Sequence, residues 1–115
     1  MKVLSIATIS AIAAMNPDGF TVSAFTGVTP QAGYAVALKE TQNSFGAEGL
    51  ERVINIIASG QTGATCVGGW LDNETGLYYY DAVAIFQDRA AAIEFGRMNE
   101  QIAIFDLLNL KEIRL

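Results

Sequence analysis

Histidine is absent from this 115-residue chain, and cysteine occurs once, at position 66. Without histidine, a serine or cysteine nucleophile lacks the imidazole that usually acts as its general base. The common zinc sites also need histidine or several cysteines. The composition therefore argues against hydrolytic triads and zinc enzymes, and we expect no metal and no cofactor. A single thiol, with no possible intramolecular disulfide, is typical of a reducing cytoplasm.

Positive charge is also scarce, because seven Lys and Arg residues stand against twelve Asp and Glu residues, for a net charge of −5. Proteins that follow a nucleic-acid backbone need a surplus of cations to displace its counterions. We therefore expect no nucleic-acid polymer as a partner. A small anionic ligand remains possible, since it needs only a few local donors.

Apolar residues, in contrast, are plentiful: 51% of the chain is hydrophobic and only 17% is charged. Such a composition predicts a folded chain, and 115 residues suit one compact domain spanning residues 1–115. A domain of this size cannot bury all of its apolar surface alone, and the excess commonly forms a subunit contact. We therefore expect a homo-oligomer.

The first fifteen residues, MKVLSIATISAIAAM, resemble a short signal peptide because one lysine precedes an apolar run. Ser5, Thr8 and Ser10 interrupt that run, and it is too short to span a bilayer. We expect this segment to fold as a strand or helix, and we expect no membrane partner.

Two strands and a helix are predicted in the first half of the chain. Residues 20–25 and 34–39 alternate in polarity, and the Gly/Pro loop between them predicts a hairpin. The clearest helix follows, where apolar residues recur at helical spacing at Leu50, Val53, Ile54, Ile57 and Ala58. Asn43 or Ser44 is expected to cap its start, and Gly60 to end it.

The stretch GGWLDNETGLYYYDAVAIF predicts a second hairpin, with strands at 65–71 and 77–86 around an acidic turn. In its second strand Tyr79 and Val83 point to one face of the sheet, and Tyr80 and Ala82 point to the other. Both faces are apolar or aromatic, so each must be covered. We expect helices on one face and a second subunit or a ligand on the other.

A second helix is predicted over residues 89–98, with Asp88 as its N-cap and Asn99 in a left-handed conformation at its end. A buried strand at 102–107 and an edge strand at 111–115 follow. The order of elements predicts an α+β fold: a largely antiparallel sheet with two helices, and one more element possible at the N-terminus.

The carboxylates offer one set of candidate ligands. Asp72, Glu74 and Asp88 are most simply solvated turn residues, although paired carboxylates also occur in glycosidases and metal sites. Asp81 is unusual because it lies inside a strand among tyrosines, where it could cap, pair with an arginine or contact a ligand. The glycine-rich GQTGATCVGG lacks the lysine of a phosphate-binding loop.

Polar donors for a phosphate or a base lie in two other places. The start of the first helix, with Ser44 and Gly46, could bind an anion, although an ordinary cap is the simpler interpretation. Arg97, Asn99 and Gln101 gather guanidinium and amide groups where the second helix ends. Arg89 lies on the same side of that helix, where a solvated surface is the default. Aromatic rings nearby could stack on a base: these are Tyr80, Phe86 and Phe95.

Three stretches, GYAVALKETQNSFGAEGLERVI, GGWLDNETGLYYYDA and NEQIAIFDLLNLKEIRL, resemble small phage proteins of the Thoeris anti-defence family, the first-described type. The resemblance implies a dimeric or hexameric sponge in the host bacterial cytoplasm, which binds cyclic ADP-ribose derivatives without cleaving them. Some members also hold cyclic di- or trinucleotides at separate sites. An aromatic ring would stack on adenine while arginine and asparagine hold phosphate and ribose. The candidates are Phe86, Phe95, Arg89, Arg97 and Asn99, with Gln101 and Ser44 added from the residues above.

Two other functions stay open. A non-enzymatic phage module that inhibits a host protein through its aromatic face would need no nucleotide pocket. A hydrolase of small phosphorylated ligands would need a metal held by Asp72, Asp81 or Asp88. We expect a binding protein and not an enzyme.

Overall fold

A computed structural model, which describes residues 2–115, confirms the α+β fold. Seven strands form one antiparallel sheet in the order β1-β4-β5-β2-β6-β7, and β3 pairs separately with β5. The strands are β1 (Phe20–Ser23), β2 (Tyr34–Ala37), β3 (Ser44–Phe45), β4 (Cys66–Leu71), β5 (Tyr78–Phe86), β6 (Ala103–Asp106) and β7 (Lys111–Arg114). The helices are α1 (Ile6–Ala14), α2 (Gly46–Ala58) and α3 (Arg89–Met98).

Strand β5 is the longest strand and holds the sheet together. It pairs with β4 along one side and with β2 and β3 along the other. The register places Trp70 opposite Tyr79 and Gly68 opposite Asp81. The hairpin predicted from the tyrosine-rich stretch is therefore confirmed, and Gly76 in its turn has the expected positive φ of 73°.

All three helices cover the same face of the sheet. Alternate residues of β5, including Tyr80 and Ala82, pack with Leu50 and Val53 of α2 and with Ile9 of α1. Helix α3 continues this layer over β2 and β6, where its Ala92 packs against Val36 and Ile104. The prediction that helices cover one face is confirmed, with α1 as the additional N-terminal element.

The opposite face, called the bare face here, carries no helix within residues 2–115. The other alternate residues of the strands point toward it. Its middle is built from small side chains, and its larger side chains lie around them. The residues on the bare face include Thr21, Ala35, Ala37, Gly68, Trp70, Tyr79, Asp81, Ala103, Phe105 and Glu112.

Helix α3 begins where the sequence predicts. The Asp88 carboxylate accepts a hydrogen bond from the Ala91 N–H at 3.0 Å, which confirms the N-cap. The helix ends at Asn99, but the left-handed residue is Glu100, with φ of 55°, whereas Asn99 has φ of −94°. The Asn99 side chain instead binds the backbone, accepting from the Lys39 N–H at 3.1 Å and donating to the Phe95 carbonyl.

The predicted hairpin between residues 20–25 and 34–39 is wrong. Strand β1 pairs with β4 and strand β2 with β5 and β6, so the second hairpin lies between them. A local turn explains why the chain leaves β1 early. The Ser23 carbonyl accepts a hydrogen bond from the Gly27 N–H, and the Ser23 N–H donates one to the Val28 carbonyl, both at 2.9 Å. This turn leads the chain away from β1, so the next strand does not pair with β1.

The predicted capping of α2 by Asn43 or Ser44 is also wrong. Its N-cap is Phe45, which makes no side-chain capping bond. Ser44 belongs to β3 and pairs with Tyr80, so the sheet sets its direction. It is buried, and its hydroxyl has no hydrogen-bond partner within residues 2–115. Gly60, with φ of 69°, follows the end of α2 as predicted. No helix within residues 2–115 has the length and apolar character needed to cross a membrane.

Gly49 allows α2 to lie directly on β3, which gives a test of this packing. A Cβ atom at Gly49 would lie 2.4 Å from the Ser44 carbonyl carbon, which is backbone and cannot move aside. Gly49→Ala is therefore expected to lower the free energy of unfolding by about 2 kcal/mol or more, although alanine favours a helix by up to about 1 kcal/mol.

Gly96→Ala in α3 is the matched control, because the nearest atoms there are the ends of the Leu115 and Ile104 side chains. These side chains can rotate, so Gly96→Ala is expected to lower the free energy of unfolding by less than Gly49→Ala does. Urea denaturation of both variants measures the difference. A Gly49→Ala protein as stable as wild type would contradict the packing of α2.

Candidate functional site

A cavity of about 280 Å³, called the trough here, lies on the bare face. The sheet curls around it, so that Thr21 of β1 and Phe105 of β6 line the same cavity although three strands separate them in the sheet. A neighbouring cavity of about 430 Å³ shares these two residues and continues toward Pro30 and Leu107. The bare face is therefore concave and open to a ligand.

The floor of the trough is made of small residues. Ala35, Ala37, Gly68 and Ala103 all line it. A Cβ atom at Gly68 would lie 3.1 Å from a methyl group of Val83, so Val83 packs closely against this position. Any larger side chain here would enter the space available to a ligand.

Three aromatic rings form a platform beside the trough, and Trp70 is the one that lines it. Trp70 and Tyr79 are stacked with ring centroids 5.1 Å apart and an interplanar angle of 15°. Phe45 lies against Tyr79 at 5.5 Å with a tilted ring. Trp70 is 47% exposed, so part of this large ring faces solvent. Exposed aromatic faces of this kind are the surfaces on which nucleobases stack.

A cavity of about 390 Å³, the amide cavity, adjoins the trough. The side chains of Gln42, Asn43 and Gln101 line it, and Trp70 and Asp81 line both cavities. Each amide has both hydrogen-bond donors and acceptors, so together they can bind base edges or ribose hydroxyls. The arrangement places polar recognition groups directly beside a stacking platform.

Asp81 is the charged group at the centre of this arrangement. Burial raises the pKa of its carboxyl from an ordinary 3.8 to about 6. Neither ion pair of residues 2–115 includes it, and Gly68 opposite it offers no side chain. Within the described chain, the other charged residues lining the two cavities are Glu112 and Asp72, and no lysine or arginine lines them. The site is therefore acidic.

The aromatic and asparagine candidates from the sequence lie outside the trough. Phe86 and Phe95 pack against each other, at a centroid distance of 4.9 Å, between the sheet and α3. Both belong to the hydrophobic layer on the helix-covered face. Asn99 is engaged by the backbone bonds described above.

The remaining candidates are also separated. Arg89 and Arg97 are exposed on α3, on the side of the sheet opposite the trough, and Ser44 is buried beneath α2. Of the seven candidates, Gln101 alone lies beside the stacking platform, where its side chain also donates to the Asn99 carbonyl. Within one subunit the structure does not bring the seven together.

Sequence reasoning missed Trp70 and Gly68 as parts of a site. The signal that could have found them was the apolar second face of β5, combined with the pairing of Trp70 and Gly68 to Tyr79 and Asp81. Asp81 itself was recognised as unusual. Within residues 2–115, no three His, Cys, Asp or Glu side chains gather as a metal-binding group; Asp88, one candidate ligand, caps α3.

No protein-family model, curated protein or solved structure matches this chain. The stacked rings, the amides and the half-buried carboxylate are the groups that a ligand on this face would meet.

The raised pKa of Asp81 predicts a pH-dependent cost in stability. The folded pKa of about 6 exceeds the ordinary value of 3.8, so the proton is held more tightly in the folded state. The stability that Asp81 contributes is complete below pH 4 and is lost as the pH rises through 6. Asp81→Asn is therefore expected to raise the free energy of unfolding at pH 8 by on the order of 1–2 kcal/mol, and by almost nothing at pH 4.

Denaturant unfolding of both proteins at pH 4, 6 and 8 measures this difference. Glu112→Gln is the control, because that carboxylate is exposed and its ion pair with Arg114 spans 3.6 Å on the surface. The control is expected to stay within about 0.5 kcal/mol of wild type. An Asp81→Asn protein less stable than wild type at pH 8 would show that the ionised carboxylate is stabilised and not strained.

Proposed function

We propose that this chain is a phage-encoded anti-defence sponge, which binds and sequesters cyclic ADP-ribose-type signalling nucleotides without cleaving them. The observation that carries the proposal is the exposed Trp70 ring, stacked on Tyr79 beside a cavity of amides. The resemblance of three sequence stretches to Thoeris anti-defence proteins supplies the class of ligand.

Adenine is the part of the ligand assigned to the trough. A purine stacked on Trp70 would cover the exposed part of the indole, and stacking on an aromatic side chain contributes about 1–3 kcal/mol per base. Gln42, Asn43 and Gln101 lie beside the same ring, where their amides can bind ribose hydroxyls. These groups are suited to binding the ligand and not to catalysing its cleavage.

The phosphates need cations, and within the described chain none lines the trough or the amide cavity. Arg89 and Arg97 are exposed, but they lie across the sheet from Trp70. We therefore propose that the complete pocket forms between two subunits, so that the arginines of one copy reach the ligand held by the other.

Exposed apolar side chains near β6 support assembly of several copies. Met98, Ile102, Leu108 and Leu110 are each between 69% and 74% exposed. Side chains of this kind are commonly buried in subunit contacts. The proposed assembly is a dimer or a hexamer, which light scattering would distinguish from a monomer.

A protein-interaction module is the second candidate. The bare face presents Phe45, Trp70 and Phe105, each between 39% and 47% exposed, around a floor of small residues. Such a face also suits a protein partner, with aromatic side chains as anchors. The two candidates differ in whether a small nucleotide binds at all.

Calorimetry of the purified protein with cyclic ADP-ribose isomers and cyclic dinucleotides tests the proposal, followed by heat denaturation and mass spectrometry of the released compound. Tight binding with intact ligand returned is expected. Trp70→Ala is expected to weaken binding about tenfold or more, because it removes the stacking surface. Val28→Ala is the matched control, since Val28 is 64% exposed in the loop after β1 and outside both cavities.

Two results would contradict the proposal. A ligand released in cleaved form would assign an enzymatic activity to the chain. A protein that binds none of these nucleotides would leave the bare face to a protein partner.

A further inference from the structure

We propose that Asp81, facing Gly68, forms a base-recognition site that binds the adenine N6 amine and the ring nitrogen beside it through a carboxylic acid group. The inference deepens the proposed function and rests on it for the adenine ligand. It assigns a specificity-determining role to a side chain on the bare face that takes part in neither ion pair of residues 2–115.

The register of β4 and β5 sets the geometry of this site. The Gly68–Asp81 pair follows the Trp70–Tyr79 pair along the same two strands, two residues away and on the same face. Two residues of a strand span about 7 Å. Trp70, Gly68 and Asp81 all line the trough, so a purine held there against Trp70 lies within reach of the Asp81 carboxyl.

Gly68 makes this approach possible. A side chain at this position would project from the floor of the trough into the space proposed for the base. With glycine, the trough reaches down to the backbone between the two strands, and both residues line it. The trough thus places a position without a side chain next to one hydrogen-bonding carboxyl.

The chemistry of the carboxylic acid matches adenine. A protonated carboxyl offers one O–H donor beside one carbonyl acceptor, whereas an ionised one offers acceptors only. Adenine presents an amine donor next to an unprotonated ring nitrogen, which accepts. Two parallel hydrogen bonds can therefore form with the acid. Guanine presents neighbouring donors at its N1 and N2 positions and would need the ionised carboxylate.

The surroundings make the protonated form of Asp81 easier to reach than that of an exposed aspartate. Burial holds the pKa of Asp81 near 6, well above its ordinary value. Strands β4 and β2 carry no charged residue, and the charged groups that β7 places on this face are Glu112 and its ion-pair partner Arg114. Asp72 lines the amide cavity from the other side.

Proton uptake is the signature that tests this proposal. Above pH 6 the free protein has lost the Asp81 proton, so binding adenine must take one proton from the buffer. The affinity of wild type is then expected to fall by up to about tenfold for each pH unit above 6. Calorimetry at pH 8 in two buffers of different ionisation enthalpy counts the protons, with adenosine and a cyclic ADP-ribose isomer as probes.

Asp81→Asn and Asp81→Leu separate recognition from packing. Asparagine keeps a donor beside an acceptor, so this variant is expected to bind within a few-fold of wild type at pH 7, with no proton uptake and no pH dependence. Leucine has a similar size but no hydrogen bonds, and about tenfold weaker binding is expected. Glu74→Gln, in the exposed turn between β4 and β5, is the control and is expected to keep the wild-type proton uptake.

Several results would overturn the proposal. These are binding of adenosine without proton uptake, unchanged binding by Asp81→Leu, and a preference for guanosine that Asp81→Asn abolishes. If adenosine binds with the expected uptake but no cyclic ADP-ribose isomer binds, the base site stands and the sponge function fails. If the isomers bind and adenosine does not bind even at millimolar concentration, the base site fails and the sponge function stands.

Discussion

The pairing of β5 with three other strands is the constraint on which the rest of the molecule depends. Because β4, β2 and β3 all take their register from it, the alternation of side chains along β5 decides what each face of the sheet contains. Tyr80 and Ala82 face the helices, and Tyr79 and Asp81 lie on the bare face. A shift of one residue would exchange these two sets and bury the carboxylate under α2.

The one-sided helical layer explains the properties of the candidate site. All three helices use the apolar residues of one face, so the other face keeps its exposed rings and its small-residue floor. Within residues 2–115 no lysine or arginine lines the trough or the amide cavity, and burial raises the pKa of Asp81. An unpaired acid at this position costs stability, and such a cost is commonly found where a residue serves binding.

Local signals in the sequence were sufficient for part of the fold. The hairpin at 65–86 and helix α3 were predicted because an acidic glycine turn and the Asp88 cap act within a few residues. The partner of β1 was not predictable in this way, since β1 pairs with β4, more than forty residues later. Ser44 shows the same limit: pairing of β3 with Tyr80 overrode its tendency to cap a helix.

The candidate site was predictable only in outline. Alternation along β5 indicated two apolar faces, but nothing local indicates which face receives the helices. Phe86 and Phe95 were therefore as plausible as Trp70 as residues that bind the ligand. Their burial against α3 comes from the packing of the whole layer. A role for Gly68 in the site can be inferred only from the register that places it opposite Asp81.

The central claim is that a nucleotide binds on the bare face, and the fluorescence of Trp70 tests it most directly. Trp70 is the only tryptophan of the chain, so its emission reports on this face alone. Titration with cyclic ADP-ribose isomers is predicted to change the emission in a saturable way, with the same midpoint as calorimetry. Binding by calorimetry with unchanged Trp70 emission would contradict the account and place the ligand elsewhere.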